Sequence, residues 1–111
     1  MSENELVEKA LKLYNEQKYE EAIDIFSSVL ETAEDSAELY NNIGLCYANL
    51  GDSEKAKNQY GQVILNRPHS KYAIKAQKRL SKIEKSIEKA KLKAEKEAQK
   101  AQSVLPEKTA E

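Results

Sequence analysis

A single cysteine, Cys46, rules out an intramolecular disulfide and any metal centre built on thiolates. The single histidine, His69, leaves no imidazole pair for zinc or for a two-histidine relay. There is no Gly-rich phosphate loop, and the carboxylates are scattered, with no pair set apart for acid–base work. The expectation is therefore a protein that is not an enzyme, with no cofactor and no metal. The longest run without a charge, Leu39 to Gly51, is 13 residues and includes three Asn. It is too short and too polar to cross a bilayer, so no membrane insertion is expected. The N-terminus, Met1-Ser2-Glu3-Asn4-Glu5, has no apolar segment of the kind that directs export. A cytoplasmic location is the expectation.

Only three Gly and two Pro punctuate the 111 residues. Ala, Glu, Lys, Leu and Arg together supply 58 of them, which points to a mostly helical chain. The net charge of −1 conceals a division. Residues 1–70 carry 6 Lys/Arg against 13 Asp/Glu, a balance of −7, and residues 71–111 carry 12 against 6, a balance of +6. The first part is acidic and the last part basic.

The chain matches itself at an offset of 34 residues. Leu11 falls on Leu45, Asn15 on Asn49, Glu20 on Glu54, Ala22 on Ala56 and Val29 on Val63. Between them Ala10 pairs with Gly44 and Phe26 with Tyr60, so small and large positions agree. Each unit reads as two helices, because apolar residues recur at three- and four-residue spacing on both sides of a turn. Ser2 with Glu5 has capping-box spacing, and Asp35 with Glu38 offers an Asp variant for the third helix. Gly51 suits a helix end that needs positive φ, Pro68 stops the fourth helix, and Ser70 can cap the fifth. The expected helices are 3–16, 19–32, 37–50, 53–66 and 71–102.

The second unit reads Tyr40, Ile43, Gly44 and Tyr47, then Ala56 and Tyr60, then Pro68; the first reads Leu6, Lys9, Ala10 and Leu13, then Ala22 and Phe26, with Glu34 in place of Pro. In period and in residue types this resembles the tetratricopeptide repeat, over about residues 3–70. The resemblance implies an all-α fold, an antiparallel stack of helix hairpins, with repeats at about 3–36 and 37–70. Residues 71–87 would cap the stack, 88–102 would continue as a charged helix, and 103–111 would be a disordered tail.

The resemblance also implies a binding face, because the first helix of each pair lines the concave side of such a stack. Here that face maps to Val7, Leu11, Tyr14 and Asn15, then Asn41, Asn42, Leu45 and Asn49, then Tyr72, Lys75 and Arg79. Asn amides can both donate to and accept from an extended peptide backbone, and Lys75 with Arg79 could hold a carboxylate. The expected partner is a protein or a peptide. Some relatives clamp a C-terminal carboxylate with Lys, Arg and Asn. The corresponding places here hold Val7, Leu11, Asn42, Tyr72 and Ala76, of which only Asn42 fits. The apolar Val7, Leu11 and Leu45 favour a hydrophobic ligand side chain instead.

Beyond Ile83 the last helix carries a seam of Ile87, Ala90, Ala94 and Ala101, interrupted by Glu97. Alanine buries little area, so a coiled coil resting on it alone would be weak. Three readings stay open for this helix: a solvated helix held by its own propensity, homo-oligomerisation, or a basic contact with an acidic partner. Residues 82–100 interleave seven Lys with four Glu and contain no Arg and no aromatic residue. That is a poor surface for tracking phosphates or stacking bases, so no nucleic acid is expected.

Overall fold

The computed structural model describes the backbone of residues 1–110 and the side chains of residues 1–100. Five helices follow in order: α1 (Glu3–Asn15), α2 (Tyr19–Leu30), α3 (Ala37–Asn49), α4 (Ser53–Asn66) and α5 (Lys71–Ala110). No strand occurs among the described residues. The chain divides into two units, residues 1–80 and 81–111. The end of α5 lies past 102, and the tail expected at 103–111 falls on residues whose side chains are outside the described set.

The helix boundaries follow from local chemistry. Ser2 Oγ accepts the Glu5 N–H at 3.2 Å and donates to the Glu5 carboxylate at 3.2 Å, which fixes the start of α1. Asp52 Oδ1 accepts the Lys55 N–H at 3.1 Å, and Ser70 Oγ accepts the Ala73 N–H at 3.1 Å. The expected Asp35 cap is displaced by one residue. Ser36 occupies the cap position of α3 and makes no side-chain cap bond, while Asp35 accepts the Ala37 N–H at 3.2 Å. Asp35 thus closes a turn two residues long, as Asp does readily, and leaves the first turn of the helix to follow.

Both hairpins turn by the same device. Gly51 takes φ +81°, with Gly51 N–H donating to Ala48 O at 3.1 Å and Asp52 N–H to Tyr47 O at 2.9 Å. Thirty-four residues earlier Gln17 takes φ +65°, with Gln17 N–H donating to Tyr14 O at 2.9 Å and Lys18 N–H to Leu13 O at 2.8 Å. This is the left-handed closure of a helix C-terminus that glycine makes without strain. Gln17 makes it with a Cβ, at a cost of order 1 kcal/mol.

Within residues 1–80, α1 packs on α2, α2 on α3 and α3 on α4, so neighbours in sequence are neighbours in space. The repeat signature is the core. Ala10, Ala22, Phe26, Val29, Ile43 and Cys46 are buried together in the first half. Their counterparts Ala56, Tyr60 and Val63 are buried in the second, with Ala73 and Ala76 from the first turns of α5. Gly44 shows why a small residue is needed there: a Cβ at that position would lie 2.6 Å from Tyr60 Cε1. Cys46 is fully buried, and this burial pushes its thiol pKa up to about 11.

From Ser81 to Lys100 every side chain is exposed except Ile83 and Ile87, which are half-buried. No helix of the described residues is long and apolar enough to cross a membrane.

Candidate functional site

A cleft of about 210 Å³ opens between α1 and α3, lined by Leu11, Tyr14, Asn15, Phe26, Asn42 and Leu45. Five of these six residues come from the two helices that the repeat pattern assigns to one face. Leu11 and Asn15 are one turn apart on α1, and Asn42 and Leu45 one turn apart on α3. Each pair therefore looks into the same gap. The 34-residue period makes the two sides equivalent, since Leu11 and Leu45 are the same position of successive repeats.

The walls are fixed by hydrogen bonds and ring packing. Asn49 Nδ2 donates to Tyr14 Oη at 3.1 Å and to the Leu45 carbonyl at 2.8 Å, tying α3 to α1. The Tyr14 ring meets the Tyr19 ring edge-on, with centroids 5.4 Å apart. Tyr14 is held by both contacts and lines the cleft. Asn15 and Asn42 make no side-chain hydrogen bond to the described residues, so their amides remain available to a ligand.

Several residues expected on this face have other employment. Asn41 is 5% exposed, and its Oδ1 accepts from Arg79 Nη1 at 2.9 Å. This bond joins α3 to the start of α5, and a buried amide oxygen would be costly without it. Through this bond Asn41 and Arg79 tie two helices together. The Arg79 guanidinium, expected to share a carboxylate with Lys75, spends one of its N–H groups on Asn41. The Asn49 amide nitrogen is likewise spent on Tyr14 and Leu45. Val7 packs against the buried cluster, and Lys75 is exposed on α5. Partial burial of Tyr72, and next the Glu38 carboxylate beside it, raise its hydroxyl pKa above the ordinary value.

Phe26 was absent from the expected face. It belongs to α2 and is fully buried as the large residue of its repeat, yet its ring borders the floor of the cleft. The signal was present in the sequence: the same ring that fills the hairpin interior must come close to the gap between successive first helices.

Among the described residues no group of His, Cys, Asp and Glu could hold a metal ion. The cleft offers an apolar floor, a phenol ring and two unengaged amides. Such a set offers apolar contact beside groups that can donate and accept hydrogen bonds.

Comparison with known proteins identifies the repeat. The family profile described as "Tetratricopeptide repeat" matches residues 7–80. The TPR repeat-containing protein YsoA of Bacillus subtilis (strain 168) is 32% identical over 53 residues, which is 48% of this chain and 16% of that protein. The chain thus spans a small part of the length of that relative. No solved structure matches significantly. Repeats of this kind generally mediate protein–protein interaction, in proteins that are typically scaffolds without catalytic activity. Paired helices of 34-residue period, small residues where rings must approach and a family match across nearly all of the repeats lead to one conclusion: the chain belongs to the tetratricopeptide-repeat family.

Proposed function

We propose that this protein is a non-catalytic scaffold that binds an extended peptide segment of a partner protein in the cleft between α1 and α3. The observation that carries the reading is the cleft itself, about 210 Å³, lined by the apolar Leu11, Phe26 and Leu45 together with Asn15 and Asn42. That volume admits one branched aliphatic or aromatic side chain, since cavities near 150 Å³ take up benzene. Asn15 and Asn42 then bond the peptide groups flanking the inserted residue, which selects for extended backbone. The apolar contact supplies affinity and the amides supply orientation. A cytoplasmic setting fits a buried, unpaired Cys46.

The test starts from a displayed library of random peptides, with selected sequences measured by calorimetry. Selected peptides should share one large apolar residue. Asn42→Ala should weaken them about tenfold, the worth of one or two hydrogen bonds. Leu11→Glu, at a residue 38% exposed, should abolish binding while leaving the helical circular dichroism intact. Peptides that bind both variants as tightly as the parent chain would remove the cleft as the site.

A further inference from the structure

We propose that one face of α5 docks on the outer face of α2 in a second copy of this chain, lysines against carboxylates. The surface is separate from the cleft between α1 and α3, and the proposal does not depend on that cleft. Residues 78, 82, 85, 89, 92 and 96 follow one another at steps of four and three, so they share one face of the helix. Five of them are Lys and the sixth is Leu92, and all six are exposed. The glutamates of this stretch stand roughly a quarter-turn or more around the helix, so the stripe is not neutralised along its own line. The weak apolar seam of Ile83, Ile87, Ala90 and Ala94 lies on nearly the opposite side. A lipid surface would need that seam buried, and alanine gives it little to bury.

The complement stands on α2 and its C-cap residue, Glu31. Glu20, Asp24, Ser27 and Glu31 repeat the same steps of four, three and four, and all are exposed. Laid parallel, Lys85 meets Glu20, Lys89 meets Asp24 and Lys96 meets Glu31, while the two uncharged residues, Leu92 and Ser27, fall opposite each other. No like charges oppose in that register. Beside Glu20 and Asp24 opens a cleft of about 450 Å³ that also includes Ile23, Tyr47 and Leu50. Leu50 is 42% exposed there. Lysine stems can lie against the exposed Leu50 while their ammonium groups reach the carboxylates of this cleft. Lys55 shares the cleft, but it pairs with Asp52 at 4.0 Å and leaves Glu20 and Asp24 to an incoming cation.

The occupant is a second copy because the chain itself supplies a stripe of matching spacing and opposite charge. No Gly or Pro stands between Lys71 and Leu105 to serve as a hinge within that span of α5. A twofold pair makes the contact twice. Exposed ion pairs are individually weak, so the association is weak and salt-dependent.

Sedimentation velocity on the full chain, over a concentration series up to about 0.5 mM, tests this. Association should appear at low ionic strength and weaken at least about tenfold between about 0.05 M and about 0.5 M NaCl. The variant Lys85→Glu/Lys89→Glu/Lys96→Glu should be monomeric with unchanged helical circular dichroism, and so should Glu20→Lys/Asp24→Lys/Glu31→Lys. Mixed together, the two should associate, because each then meets the opposite charge on both faces. A parent chain that stays monomeric at low salt would overturn the proposal. So would association that salt and both variants leave unchanged, or variants that fail to combine.

Discussion

Adding one methyl group at Gly44 and at Gly61 tests the packing argument most directly. Both residues lie inside helices, so Ala gains the same intrinsic propensity at each, about 0.8–1.0 kcal/mol. Their surroundings differ. Around Gly61 nothing lies within 4 Å of the position a Cβ would take. At Gly44 the new carbon would stand 2.6 Å from Tyr60 Cε1, 2.9 Å from Cδ1 and 3.1 Å from Cζ. Unstrained carbon contacts are about 3.5–4.0 Å, so ring and helix must separate by about 1 Å. Tyr60 is 1% exposed and beside the fully buried Val63, so its ring has no open space to enter. Overpacking of this kind costs about 1–3 kcal/mol. Gly61→Ala should therefore stabilise by up to about 1 kcal/mol. Gly44→Ala should be neutral to about 2 kcal/mol less stable. The difference between the two, about 1–3 kcal/mol, isolates the clash because the propensity cancels. Urea unfolding followed by circular dichroism measures both. In a thermal melt each kcal/mol moves the midpoint by about 4–8 °C in a domain of this size. If Gly44→Ala stabilises as much as Gly61→Ala, the close approach of α3 to the Tyr60 ring is wrong.

Other outcomes follow from single features. Gln17→Gly relieves the positive φ at the first hairpin and should stabilise by about 1 kcal/mol in the same assay, whereas Gly51→Ala should cost a similar amount. Arg79→Ala leaves the buried Asn41 oxygen without its donor and should destabilise by about 1–3 kcal/mol; selected peptides should still bind the folded fraction, because Arg79 is a tie between helices. Cys46 and Tyr60 are held neutral by burial, with pKa values raised to about 11 and about 12. Their neutral forms favour the folded state, so this stability is complete below the ordinary thiol and phenol pKa values. It is lost as pH rises from about 9 through 11 and 12. Urea titrations across that range should show the decline, and Cys46→Ala should reduce its thiol part. A thiol reagent at neutral pH should modify native Cys46 only at the rate of opening of the chain.

The helices, their boundaries and their pairing were determined by the sequence. A 34-residue period places small residues opposite rings twice, and caps at Ser2, Asp52 and Ser70 mark the starts. These are local or periodic signals, and α1 to α4 read them within a few residues, whereas α5 runs on to Ala110, past the expected 102. The sequence also placed Leu11, Asn15, Asn42 and Leu45 on one face, because helical periodicity fixes direction. It had no means of deciding which polar groups on that face remain available. Asn41 and Asn42 are adjacent and chemically identical. Only the packing of α5 on α3 decides that Asn41 is buried against Arg79 while Asn42 borders an open cleft. Only the closure of the first hairpin requires Gln17 to take the conformation that Gly51 takes in the second. Periodicity sets where side chains point; a hydrogen bond between residues 38 positions apart is set by the tertiary fold.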